Sequence, residues 1–183
     1  YNKVYRSFSY KTAKAEIDFF KGKTNAAYNA IERHAQGERQ NKIALYWESG
    51  SGEKLKFTFR ELNDLSNQFA RALESVGIKK GDRVFFFLTR VPQLYYGFLG
   101  TLKTGAIAGT MFAAFGPQAI KDRLGNSAAR VVVTELELYK RIAKAAPALP
   151  HLEVILVVGD SKKISRLKIK GKKVIALDEL VSR

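Results

Sequence analysis

Residues Met111 to Pro117 read "MFAAFGP", with two aromatic rings bracketing two alanines before a glycine and a proline open "QAIKDRL". Small residues at such a turn leave room for a ligand to come close, and a helix entrance favours an anion. Residues for other chemistry are sparse. The absence of cysteine excludes disulfides, thiolate metal sites and cysteine nucleophiles. His34 and His151 are the only histidines. His34 has no second ligand four residues on, and His151 follows Pro150 in a loop, so neither reads as a metal ligand or a general base. No serine sits in a GxSxG elbow, and the phosphate loops GxxxxGK[ST] and GxGxxG are missing. "SGSGEK" joins two antiparallel-looking strands and reads as a plain turn. The 17 Asp and Glu residues are scattered, without the paired pattern of a magnesium site. No catalytic residue and no metal ligand is assigned.

The elements that must carry "MFAAFGP" follow from periodicity. Residues Tyr1 to Lys23 read as an irregular or partly helical leader. "TNAAYNAIERHA" places Ala27, Ile31 and Ala35 at helical spacing behind Thr24 as N-cap. "KIALYWE" and "EKLKFTF" alternate as the strands of a hairpin. Thr58 and Glu61 form a capping-box pattern ahead of the stripe Leu62, Leu65, Phe69, Leu73 and Val76, with Gly77 as the stop. From Arg83 onward strand and helix alternate: "RVFFFL", "PQLYYGFLGTLKTG", "AIAGTMF", "GPQAIKDRLGN", "RVVVTE", "ELELYKRIAKAA", "EVILVV". That order predicts an α/β fold, a doubly wound and mostly parallel sheet with flanking helices, preceded by the hairpin. Ligands of such sheets sit beyond the carboxyl ends of the strands, where "MFAAFGP" falls.

With 183 residues the chain is one full domain or a large piece of a bigger one, and 46% hydrophobic residues are enough for a core. No apolar run approaches a membrane span and no signal-peptide core is visible, which makes the cytoplasm the default location. The net charge of +15 raises nucleic acid as a partner. Yet the cations are dispersed apart from "KKISRLKIKGKK", Lys162 to Lys173, which reads first as a solvated edge hairpin kept from pairing by its lysines. No aromatic residue interleaves there to stack bases. A basic nucleic-acid-binding α/β module is the alternative reading.

Read together, "NAAYNAIERHA", "IALYWE", "FTFRELNDLSNQFARAL", "GIKKGDRVFFFLTRVPQLYYGFLGTLKTGAIAG" and "MFAAFGPQAIKDRLGNSAARVVVTE" resemble the acetyl-CoA synthetases. These belong to the AMP-forming, acyl-adenylating superfamily. The pattern F-T-[FY]-x-E-L at Phe57–Leu62 and L-K-x-G-A at Leu102–Ala106 are shared across that superfamily. F-x-x-F-x-P-x-A-x-x-x-R, from Phe112 to Arg123, is narrower and points to the acetyl/propionyl branch.

The resemblance implies a two-step ligase. A short acid and ATP give acyl-AMP and pyrophosphate, and coenzyme A then takes the acyl group as AMP leaves. It implies residues 1–23 as an N-terminal extension and 24–183 as the first part of the adenylate-forming large domain, ending before the ATP-binding motifs. ATP and Mg2+ would then be held outside this chain, and the chain alone would be inactive. Coenzyme A contact maps onto Phe112, Ala113 and Ala114, with alanines where the family pattern has two glycines. Lys140 and Arg141 fall where relatives place arginines near the coenzyme's nucleotide phosphates. Arg123 matches a family arginine for which a helix-surface ion pair is the expected role.

Overall fold

The computed structural model describes residues 1–19 and 21–182. Phe20, within the segment assigned to an extension, and Arg183, the last residue assigned to the large domain, lie outside the described residues. The leader holds two short helices, α1 (Asn2–Ser7) and α2 (Tyr10–Ala15), the second capped by Ser9. Next comes a π-helical turn, Tyr28–Glu32, running into α3 (Arg33–Ala35). Thr24 is not its cap. The Thr24 hydroxyl donates to the Asp18 carbonyl, and it is the Asn25 carboxamide oxygen that accepts the Ala27 and Tyr28 N–H groups. Asparagine is the stronger capping residue, so a one-residue shift of the helix start is physically reasonable.

Strands β1 (Ile43–Glu48) and β2 (Lys54–Thr58) pair antiparallel across the serine–glycine turn, as alternation predicted. Helix α4 (Phe59–Ser75) starts on a complete capping box: Thr58 Oγ1 accepts the Glu61 N–H at 3.2 Å and Glu61 Oε2 accepts the Thr58 N–H at 2.8 Å. Then β3 (Arg83–Phe87), α5 (Pro92–Lys103), β4 (Ile107–Met111), α6 (Pro117–Asn126), β5 (Val131–Glu135), α7 (Tyr139–Ala145) and β6 (Val154–Val158) alternate. Proline stands at the first turn of α5 and of α6, where its missing N–H costs nothing.

The five-stranded sheet has the order β4-β3-β5-β6-β7, all parallel, with β7 at Lys173–Ala176. Alternate side chains of the apolar strands enter two cores. Val84, Phe86, Val131, Val133 and Leu156 meet Phe69 and Leu73 of α4 on one face. Phe87, Met111, Val132, Ile155 and Val157 meet Ile120, Leu124 and Ile142 of α6 and α7 on the other. Burial on both faces is why these strands read as unbroken hydrophobic runs.

The basic cluster is less hairpin-like than its sequence suggested. It holds a single turn of helix, α8 (Ser161–Ile164), and one antiparallel bridge, Ile169 to Lys172, around Gly171 at φ +74°. Lysines do flank an edge strand, but that strand, β7, pairs parallel to β6. The chain then forms α9 (Leu177–Val181), which buries Leu177 and Leu180 against the α4 face.

Candidate functional site

The carboxyl ends of β4, β3 and β5 lie side by side, with Phe87 paired to Met111 on one flank and to Thr134 on the other. The chain runs from β3 outward to β4 and returns past β3 to β5, so its direction of travel reverses at β3. Crevices of open α/β sheets form at such reversals. Loop 112–116 caps β4 there, and its compactness has three sources. The Phe115 N–H donates to the Phe112 carbonyl at 2.9 Å, closing a turn over the two alanines. The Phe112 and Phe115 rings meet edge to face, 5.9 Å apart. Gly116 then occupies the N-cap of α6.

Phe112 is 70% exposed, directly after the buried Met111 that ends β4. Ala114 is exposed as well, while Ala113 is half-buried against the α6–α7 core. Phe115 is held from outside by Arg123, whose guanidinium lies 4.1 Å from the ring centroid and also donates to the Ala119 carbonyl. The helix-surface ion pair expected of Arg123 is therefore replaced by a cation–π contact, since the nearest partner offered is a π face and not a carboxylate.

Of the two cations assigned to α7, the structure brings one to the loop. Arg141 Nη1 donates to the Ala113 carbonyl at 2.6 Å and the Phe115 carbonyl at 3.1 Å, and its guanidinium lies 5.5 Å from the Phe87 ring. Lys140, one residue earlier, is exposed. Helix α7 starts four residues later than "ELELYKRIAKAA" suggested, because Glu135 ends β5 and Leu136–Leu138 form a turn. Tyr139 is buried beside them, and burial pushes its phenol above the ordinary tyrosine pKa, keeping it neutral.

Glu135 escaped the sequence reading. Its carboxylate accepts both the Thr89 N–H and the Thr89 hydroxyl, the latter at 3.0 Å, and so ties the end of β5 to the segment after β3. A carboxylate closing a buried apolar strand was the available signal. Trp47 adds a second tie, donating its indole N–H to the Arg90 carbonyl and docking the hairpin onto the same segment. His34 packs edge to face on Phe59 at 5.1 Å, with burial and then Arg33 and Arg39 lowering its pKa, so it serves as a neutral packing residue. Among the described residues no group of three or more His, Cys, Asp or Glu gathers to hold a metal. An apolar cleft of about 380 Å³, lined by Ala44, Leu62, Phe98 and Thr110 among others, includes none of Phe112, Ala113, Ala114, Lys140 and Arg141.

The site thus offers an exposed aromatic face on a braced turn, an exposed methyl group beside it and the guanidinium groups of Arg123 and Arg141 against it.

A family model described as AMP-binding enzyme matches residues 31–179. The chain is similar to an acetyl-coenzyme A synthetase of Bacillus subtilis (strain 168), 47% identical over 161 residues, which cover 87% of this chain and 28% of that protein. It is similar to a 3-hydroxypropionyl-coenzyme A synthetase of Sulfurisphaera tokodaii, 36% identical over 151 residues, covering 82% of this chain and 23% of the relative. Among solved structures, the acyl-CoA synthetase of Brucella canis superposes with a TM-score of 0.83 at 28% identity, over 100% of this chain and 32% of its own. The chain therefore spans about a quarter to a third of the length of these relatives. The nucleic-acid-binding alternative finds no support among them.

Proposed function

The chain belongs to the AMP-binding enzyme family, and from that premise we propose that it forms part of a ligase joining a short carboxylic acid to coenzyme A. The observation that carries this reading is the 47% identity to the Bacillus subtilis acetyl-coenzyme A synthetase across 87% of the chain. In the reaction, a carboxylate oxygen of the acid attacks the α-phosphorus of ATP and pyrophosphate leaves. The coenzyme thiol, after losing its proton to solvent, then attacks the acyl carbon; AMP departs as the thioester forms.

The role assigned to this chain is in the second step. Phe112 supplies a flat apolar face for the coenzyme's thiol-bearing arm, and Ala113 and Ala114 let that arm pass close to the backbone. Lys140 supplies a point charge toward the coenzyme's phosphates. An ammonium does this without the bidentate fit of a guanidinium. The acid and ATP are assigned to segments beyond this chain. The described residues do not fit a magnesium site, since their carboxylates do not cluster, so no step is routed through a metal here. Among the described residues no helix is long and apolar enough to cross a membrane. The reaction is proposed for the cytoplasm.

The test is AMP release by the full-length protein with acetate, propionate or 3-hydroxypropionate, with and without coenzyme A. AMP formation dependent on both acid and coenzyme is the expected result, and its absence with every acid would refute the reading. The 183-residue chain alone is expected to release none.

A further inference from the structure

Arg141 is committed differently from a ligand-binding cation. Its α7 follows β5, whereas the carbonyls it holds, Ala113 and Phe115, follow β4. Between these two strands runs β3, and the guanidinium lies near the ring of the last β3 residue, Phe87. One side chain therefore bridges all three strand ends at the point where the sheet reverses. The two carbonyls belong to the turn that displays Phe112, and they flank its tip. A carbonyl bonded to a guanidinium forms a stronger, charge-assisted hydrogen bond, and one nitrogen, Nη1, bonded to two of them pins the turn at two points.

We propose that Arg141 is a positioning residue: it holds loop 112–115 across the end of β3, so that the exposed Phe112 face is presented in one orientation for thioester formation. This inference rests on the coenzyme A reading above for its functional consequence, but not for the brace itself. It separates Arg141 from Lys140, which has no such hold on the loop. Arg123 completes the device from the α6 side by covering the Phe115 ring.

Two measurements on Arg141→Ala test it. Amide hydrogen exchange on the full-length protein reads the brace directly. The Phe115 N–H, bonded to the Phe112 carbonyl, should exchange about tenfold faster in the variant, while Val132 and Ile155 in the central strands keep their protection. Unchanged exchange at Phe115 overturns the proposal. In full-length enzyme, thioester formation should fall at least about tenfold more than acid-dependent ATP–pyrophosphate exchange, as expected when a group is misplaced by a fraction of an ångström.

The same loss should appear with 3′-dephospho-coenzyme A and with pantetheine as thiol acceptors, because a positioning defect does not depend on the phosphates. A loss seen only with intact coenzyme A marks Arg141 as a direct phosphate ligand and overturns the proposal, as does an equal loss in both half-reactions. Should Arg141→Ala fail to fold, Arg141→Lys keeps the charge on a shorter side chain that reaches the two carbonyls less well, and should show the same pattern at smaller size. A wild-type enzyme with no coenzyme-dependent turnover would refute the ligase reading, and the exchange measurement would still decide the brace.

Discussion

At the scale of single residues, Phe112 and Phe115 look alike in sequence and differ completely in the structure. Phe115 is half-buried, with the Arg123 guanidinium on its ring; Phe112 is left in solvent. Phe112→Ala should therefore leave stability within about 0.5 kcal/mol of the wild type, as is usual for exposed positions. The same substitution in the full-length enzyme should raise KM for coenzyme A severalfold and leave KM for ATP near its original value. Chemical denaturation and initial-rate kinetics check the two halves, and a shared rise in both KM values would count against a coenzyme contact. The aromatic pair itself was legible in the sequence. Which ring faces solvent was not, because that depends on an arginine eight residues away and on the core beneath the turn.

Helices α4 and α5 pack closely, and two glycines on α5 permit α5 to sit against α4 and β3. A Cβ at Gly100 would stand 2.6 Å from the Ser66 carbonyl oxygen and 3.0 Å from Phe69 Cβ. A Cβ at Gly97 would stand 2.8 Å from the Phe86 ring. Gly100→Ala must push two helix backbones apart, and should destabilise by about 1–3 kcal/mol, the usual cost of overpacking. Gly125 in α6 gives the opposite expectation. Its Cβ would meet only Leu149 Cδ2 at an ordinary 3.7 Å, so Gly125→Ala should stabilise by up to about 0.5–1 kcal/mol through helix propensity. Urea unfolding of both variants checks the pair, and the same sign in both would refute the packing argument. At this scale the periodicity of α4 predicted its buried stripe well, because its apolar face is set by local spacing. The π-helical turn at Tyr28–Glu32 and the late start of α7 left no such local signal.

Across the whole molecule, Arg130 ties the amino-terminal side of the sheet together. Its guanidinium bonds Asp82 Oδ2 at 2.6 Å and Glu153 Oε2 at 2.6 Å, joining the segment before β3 to the one before β6. For Asp82, burial favours the protonated form, but the Lys79 N–H and Arg130 outweigh it and hold the pKa below the ordinary range. Glu153 is lowered chiefly by its bond to Arg130. Because both folded-state values lie below the unfolded ones, the stabilisation is present above about pH 5 and is lost as pH falls through the depressed values, below about 4. Glu153 is half-exposed and solvent screens it, so Asp82 carries the larger share. Arg130→Ala should cost about 2 kcal/mol at pH 7. The gap to wild type should close as pH drops below about 4. Thermal unfolding against pH checks this, and a gap that stayed constant to pH 3 would remove the network as its cause.

The sequence by itself determined the class of fold and the order of its elements. Those follow from hydrophobic period, from proline and glycine punctuation and from the ordered motifs, all of which are local in the chain. Only the tertiary structure decided what the cations do. Arg123 and Arg141 are placed by residues up to 28 positions away, and whether such a side chain ends on a carboxylate, a ring or a carbonyl depends on which strand ends fold side by side. Spacing along one element carries no record of that.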